Sequence, residues 1–198
     1  MTTPPPVFPS RRATRRTFSK DRWLTNRVAD ALPDAEAKHA ERLAAALRGD
    51  RAERHHNTEL HAVLTYIERM SALWQSDPIG LADVVVRLRC DRVRDELYEI
   101  AAGRTDRLHP GTVEHADSVL YSTLTAATTG TDYAHATTLV ALTIYVRHDD
   151  ANTASYLLER ACAADPQHRV AQTLRVAVAQ GLPATDVAAA FLRNHLQH

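Results

Sequence analysis

The stretch that decides the fold is residues 131–166, which read TDYAHATTLVALTIYVRHDDANTASYLLERACAADP. Up to about Arg147, apolar side chains fall on most faces of a helix, as in an element at the centre of a bundle. Asp149 and Asp150 interrupt this pattern, and apolar residues then recur at helical spacing as far as Pro166. Because the loop between the two segments is short, they are predicted to pack as antiparallel neighbours.

The helical periodicity extends in both directions from this hairpin. On the C-terminal side it predicts one helix that ends before Gly181 and a last helix that Thr185 caps. On the N-terminal side, Pro110 should start a helix, Gly103 should follow another, and Pro78 should open a third. The predicted order is therefore a run of helices joined by short turns.

Another apolar stripe predicts a helix that begins near Arg51 or Asn57. Its members follow the i, i+3, i+4, i+7 spacing of a core-facing helix and are Leu60, Val63, Leu64, Ile67, Met70, Leu73 and Trp74. The run Val84–Val86 could be read as a strand, since it is β-branched throughout. No partner strand is apparent in the sequence, so we predict a helix there as well.

The first two helices are predicted to form a hairpin that turns at Pro33. Ser19 can cap the first helix, and Asp34 can cap the second, which runs to Gly49. A proline in a helix interior removes a backbone donor and crowds the preceding turn, so Pro33 is taken as the stop.

The composition favours the same fold class. Only six glycines occur in 198 residues, whereas alanine and leucine recur at helical spacing, which favours helix over a many-stranded sheet. We predict an all-α protein of antiparallel helical hairpins. Residues 19–198 should form a single helical domain, with N-terminal helices in 19–75 and the remainder in 78–198. Residues 1–18, rich in proline and arginine, should form a disordered basic arm.

Charge is unevenly distributed, although the formal net charge is zero. The first 27 residues hold seven Arg or Lys and one acid, which leaves 17 basic and 23 acidic residues behind them. Such an arm could neutralise nucleic-acid phosphates, a sequence-independent attraction that weakens as salt rises. It would equally suit a solvated tail, a contact with the acidic body or an anionic lipid surface. The candidate nucleic-acid contacts are Arg11, Arg12, Arg15, Arg16, Lys20 and Arg22.

The sequence shows no secretory or membrane-spanning signal, so a cytoplasmic location is expected. The N-terminus lacks the apolar core of a secretory signal, and no run of about 18 apolar residues could span a membrane. Cys90 and Cys162 lie among apolar neighbours in predicted helices, and both are expected to be buried and reduced.

Motifs for catalysis, cofactors and metals do not stand out. The sequence has no G-x-S-x-G elbow, P-loop or G-x-G-x-x-G, so we predict neither an enzyme nor a cofactor. His55 and Glu59 are i, i+4 neighbours that could share Zn²⁺, next to His56 and His61. Because His61 should project elsewhere and the order is not H-E-x-x-H, a solvated helix start is favoured and no metal site is predicted.

The hairpin ending at Pro166 resembles one TPR unit. It matches the 34-residue consensus at Tyr145, Ala154, Ala161 and Pro166. This TPR-like part implies a groove that presents side chains to a peptide. The predicted function is a helical protein-interaction module whose partner is unidentified, and a second copy of the same protein is one candidate. The candidate partner contacts are Thr138, Ala141 and Tyr145.

From about Leu81 to Leu192 the sequence resembles the C-terminal half of an actinobacterial family catalogued as domain of unknown function 4192. The likeness is carried by three segments, namely Arg92-Val93-Arg94-Asp95-Glu96-Leu97, residues 151–166 and Gly181-Leu182-Pro183. The resemblance implies a helical fold without an established activity. It also places Arg94 and Asp95 at a family hallmark, which implies a buried ion pair or a site. From its own residues, the charged run around them is interpreted first as a solvated helix face with local ion pairs.

Overall fold

The computed structural model describes residues 21–48, 52–73, 77–104 and 113–194, and these parts are all-helical, as the sequence predicts. The helices are α1 (Arg22–Arg48), α2 (Ala52–Leu73), α3 (Pro78–Leu88), α4 (Asp91–Ala101), α5 (Val113–Ala127), α6 (Gly130–His148), α7 (Ala151–Ala164), α8 (Arg169–Ala179) and α9 (Ala184–Asn194). Val84–Val86 lies inside α3, which confirms the helical alternative. No described helix has the length and hydropathy needed to cross a membrane.

The predicted turn at Pro33 is wrong, because α1 runs unbroken through this residue. The buried side chains of α1 are Leu24, Val28, Ala35 and Ala46. At 100° per residue they fall within an arc of about 40°, on both sides of the proline. A continuous helix therefore keeps one apolar face on the core, and this burial offsets the missing backbone donor. The first turn is capped by Asp21, whose Oδ1 accepts from the Leu24 N–H at 3.1 Å, while Ser19 lies outside the described residues.

Helix α6 is the centre of the fold, as its apolar pattern predicts. Every residue from Tyr133 to Tyr145 is buried, and α6 packs against α4, α5, α7 and α9. Two of its buried threonines, Thr138 and Thr143, satisfy their hydroxyls within the helix. The hydroxyl of Thr138 donates to the carbonyl of Ala134 at 2.7 Å, a bond that lets a polar residue occupy an apolar interior.

The turn between α6 and α7 follows from local residue chemistry. Asp149 adopts the left-handed conformation with φ of 51° and ends α6. Asp150 caps α7 by accepting from the Thr153 N–H at 3.0 Å. The predicted hairpin over residues 131–166 is thus present.

The last helix departs from the prediction at its start. Helix α9 already begins at Ala184, so Thr185 lies within its first turn rather than at the cap. It packs against α4 and α6, where the Phe191 ring lies 5.8 Å from that of Tyr98. The polypeptide therefore returns to its own core after α8.

Candidate functional site

A polar pocket of about 550 Å³ lies where the N-terminal ends of α4 and α6 meet. We call it the α4–α6 pocket. Its lining residues are Arg89, Asp91, Arg94, Thr129, Thr131, Asp132 and His135. Arg89 belongs to the turn between α3 and α4, Asp91 and Arg94 to α4, and the others to the start of α6.

Both helices begin at the pocket without a side-chain cap. The N-cap residues are Cys90 for α4 and Thr129 for α6, and neither side chain accepts a hydrogen bond from its helix. By contrast, Asp77 caps α3 and Asp150 caps α7. The positive ends of two helix dipoles, with amide donors that the helices do not use, are therefore located at this pocket.

Arg89 joins three parts of the protein at the rim of the pocket. Its Nε and Nη2 donate to the Asp132 carboxylate at 3.0 and 2.9 Å, and its Nη1 donates to Glu36 of α1 at 2.5 Å. These carboxylates raise the pKa of the Arg89 guanidinium above its ordinary value. Arg89 is consequently a cross-link that already uses three of its five N–H donors.

Two histidines extend the pocket into the core. His135 is 9% exposed, and its Nδ1 lies 2.7 Å from Nε2 of His168. His168 is the N-cap of α8, where its Nδ1 accepts from the Ala171 N–H at 3.0 Å. Burial, followed by Arg94 and His168, lowers the pKa of His135 to about 4, and burial lowers the pKa of His168 as well. Both rings are therefore neutral at pH 7.

The tautomers of His135 and His168 follow from the backbone N–H of Ala171, which donates to His168. Because Nδ1 of His168 accepts from Ala171, its proton must be on Nε2, which donates to Nδ1 of His135. The proton of His135 is then on Nε2. That nitrogen lies 3.3 Å from Nη1 of Arg94, which is also a donor. Among the described side chains none provides an acceptor for the His135 Nε2–H, so two N–H groups face each other at the pocket.

Arg94 reaches this position from the first turns of α4. Its Nη2 donates to Asp91 at 2.5 Å, and its Nη1 donates to the carbonyl of Leu88 at 3.4 Å. The Arg94 side chain is 15% exposed, whereas that of Asp91 is 84% exposed. Arg94 thus pairs with Asp91 at the surface, and Asp95 is exposed. The implied burial of an Arg94–Asp95 pair is therefore wrong, and a site at Arg94 stays a prediction.

A second charged group surrounds Glu59 of α2, which is 1% exposed. We call it the Glu59 cluster, and its members are His39, Arg42, His55, Glu59, Asp83 and Arg87. Arg42 Nε donates to Glu59 at 3.0 Å, and Arg87 Nη1 lies 2.5 Å from the same carboxylate in an ion pair outside hydrogen-bond geometry. Asp83 accepts from both arginines, at 3.2 Å from Arg42 and 2.7 Å from Arg87.

The Glu59 cluster bears on the metal question raised by the sequence. His39, His55 and Glu59 have ligand atoms within 4.8 Å of one another, a set that could hold a metal ion. His39 comes from α1 and replaces His61, which is exposed. Two guanidinium groups already neutralise Glu59 and Asp83, and like charge opposes an added cation. The arrangement therefore fits an ion-pair network between α1, α2 and α3 better than a metal centre.

The predicted partner contacts do not lie on an open groove. Thr138, Ala141 and Tyr145 are buried in the core, where α4 and α9 pack on α6. The Tyr145 hydroxyl donates to the carbonyl of Leu182 in the turn before α9. These side chains therefore stabilise the interior of the protein in this structure.

The other candidate residues from the sequence are the basic residues near the N-terminus and the two cysteines. Arg11, Arg12, Arg15, Arg16 and Lys20 lie outside the described residues, together with the predicted arm, and Arg22 is exposed at the start of α1. Both cysteines have free thiols but are half-buried rather than buried. Cys90 Sγ lies 3.5 Å from Nδ1 of His56.

The pocket has no direct signal in the sequence. His135 and His168 come from different helices, and no spacing rule links them. The only available hint is a histidine inside an otherwise apolar helix, a position where a polar ring needs a partner.

The described residues define an all-helical protein with a polar pocket between two helix ends. Within that class, the protein matches the family described as Domain of unknown function (DUF4192) over residues 5–185, and it belongs to that family. The match extends beyond the stretch from Leu81 that carried the resemblance, so α1 and α2 are part of the family region. No curated protein and no solved structure matches the sequence.

Proposed function

We propose that this protein is a non-enzymatic helical module that recognises a protein partner, and that the α4–α6 pocket contacts that partner. The observation that carries the proposal is the pair of facing donors, His135 Nε2–H and Arg94 Nη1–H, 3.3 Å apart. Arg94 Nη1 also donates to the carbonyl of Leu88, whereas His135 Nε2–H has no acceptor among the described side chains. A buried donor without an acceptor costs about 1–3 kcal/mol, so an acceptor supplied by another molecule would recover that loss for His135. The proposal includes the cytoplasmic location expected from the sequence.

An exposed apolar stripe beside the pocket supports a partner of protein size. Glu36, Ala40, Leu43 and Leu47 share one face of α1, and Leu43 and Leu47 are 36% and 63% exposed. The stripe is connected to the pocket because Glu36 accepts from Arg89. Apolar contacts beside a polar anchor are the usual composition of a protein interface.

This proposal keeps the protein partner expected from the sequence and moves the contact surface. Thr138, Ala141 and Tyr145 are covered by the protein itself, whereas the stripe and the pocket are open. The TPR-like character of the hairpin stays a prediction, and the contact surface proposed here does not depend on it.

The test compares two surface substitutions that introduce the same charge. Leu43→Glu should weaken partner binding about tenfold, because it places a carboxylate in an apolar contact. Val176→Glu on α8 is the matched control, since Val176 is 49% exposed and lies outside the stripe. The partner would be captured from the native host, purified and measured by calorimetry with each variant. Equal affinities for the wild type and both variants would contradict the proposal.

A second candidate function rests on the charge asymmetry of the sequence, with seven basic residues in the first 27. If the arm contacts nucleic acid, Gln at Arg11, Arg12, Arg15 and Arg16 should reduce the salt slope of binding by about 0.9 for each lost phosphate contact. Fluorescence anisotropy with duplex DNA and RNA across a salt series measures this slope. Substitution is preferable to truncation because it retains Asp21, which caps α1. A slope unchanged by the four substitutions would exclude this candidate.

A further inference from the structure

The facing donors in the α4–α6 pocket require an acceptor, and the surroundings determine its charge. Arg89 and Arg94 contribute two positive charges to the lining, and Asp91 and Asp132 contribute two negative ones. Both rings of the histidine pair are neutral at pH 7. The remaining positive potential comes from the N-termini of α4 and α6, each equivalent to about half an elementary charge. A third carboxylate, Glu36, is paired with Arg89 at the rim and is half-exposed to water. The two helix ends can therefore compensate at most one negative charge on a ligand.

We infer that the α4–α6 pocket binds a carboxylate group of the protein partner, with its oxygens accepting from His135 Nε2 and Arg94 Nη1. The inference rests on the proposed function and specifies the chemistry of the partner. An acidic side chain or the terminal carboxylate of a polypeptide provides the required group. A phosphate dianion fits less well, because its second charge would face Asp91 and Asp132 without further compensation.

The two donors are arranged so that a ligand can reach both. Arg94 is held by a long bond from Nη1 to the carbonyl of Leu88, at 3.4 Å, and by the ion pair with Asp91. The Asp91 carboxylate is 84% exposed, and an ion pair so exposed to water contributes little. Arg94 can therefore share its guanidinium with an incoming carboxylate. His135, by contrast, is nine-tenths buried and is fixed by His168. A bond to a charged acceptor in such a position is stronger than one between neutral groups.

The experiment uses small anions on the full-length protein. The histidine ring nitrogens would be followed by NMR while sodium acetate or sodium phosphate is added at constant ionic strength, with sodium chloride as the baseline. Acetate should shift the His135 resonances saturably and raise the pH at which His135 titrates, since a bound anion favours the protonated ring. His61 is exposed on α2 and serves as the internal control, with resonances that do not move.

Arg94→Gln should weaken acetate binding about tenfold, because it replaces a charged donor by a neutral one. Asp95→Asn, at the exposed neighbouring position, should leave acetate binding unchanged. Stronger binding of phosphate than of acetate would overturn the assignment of a carboxylate. An absence of any saturable shift with both anions would overturn the site.

The failure of this inference and that of the proposed function are distinguishable. If Leu43→Glu loses partner binding but acetate has no effect on His135, the proposed protein-binding function is supported and the carboxylate site is rejected. If acetate shifts the His135 resonances but the partner binds Arg94→Gln as tightly as the wild type, the pocket is an anion site. The partner's carboxylate is then not what occupies it.

Discussion

Replacing Glu59 with glutamine is expected to lower the free energy of unfolding by about 3–5 kcal/mol, the cost of removing one member of a buried ion pair. Glu59 is 1% exposed and is the shared partner of Arg42 and Arg87. Without its charge, Arg87 remains buried with Asp83 as its only ion-pair partner among the described residues. Urea unfolding followed by circular dichroism measures the loss.

The matched control is Glu53→Gln, which removes an exposed carboxylate from the first turn of the same helix. Surface substitutions of this kind usually change stability by less than about 0.5 kcal/mol. If both variants were equally stable, the Glu59 cluster would not link α1, α2 and α3 in the way described. The double variant Glu59→Leu with Arg87→Met should recover part of the loss, because it leaves no unpaired charge.

Lowering the pH from 6.5 to 4 is expected to remove up to about 3 kcal/mol of stability through His135 alone. The unfolded protein protonates this histidine near its ordinary pKa of about 6.5, whereas burial holds its pKa in the folded state at about 4. In that pH window the unfolded state binds the additional proton, so stability falls as the pH falls. His168 contributes in the same direction, because burial lowers its pKa too.

This loss is measured as the difference between wild type and His135→Gln in urea unfolding at pH 7, 5.5 and 4.5. The variant should be less stable at pH 7 but should lose less on acidification. His61→Gln, at an exposed position, should follow the wild type at every pH. Parallel curves for wild type and His135→Gln would show that His135 does not titrate as described.

The helices could be predicted because their signal is local. The apolar stripe of α2 and the apolar faces of α6 define these elements without knowledge of their neighbours. Pro33 shows where local reasoning fails, since its penalty is real but smaller than the value of keeping one buried face continuous along α1. Whether the helix continues through Pro33 depends on α3, which packs on α1 but lies distant from it in the sequence.

The pocket and the Glu59 cluster could be predicted only in fragments. The pair His55 and Glu59 was visible because i, i+4 neighbours meet on any helix. His39, Arg42 and Arg87 join Glu59 only after three helices pack, and His135 meets His168 only after α8 docks. Residue spacing in the sequence holds no information on such contacts.

Arg89 gives the pocket a property that its lining alone does not suggest. One guanidinium connects Glu36, near the beginning of the sequence, with Asp132, in its last third. The rim is therefore assembled only when distant segments have reached their final positions. A partner that docks there would distinguish finished molecules from incompletely folded ones, so recognition would report on the maturity of the protein as well as on its identity.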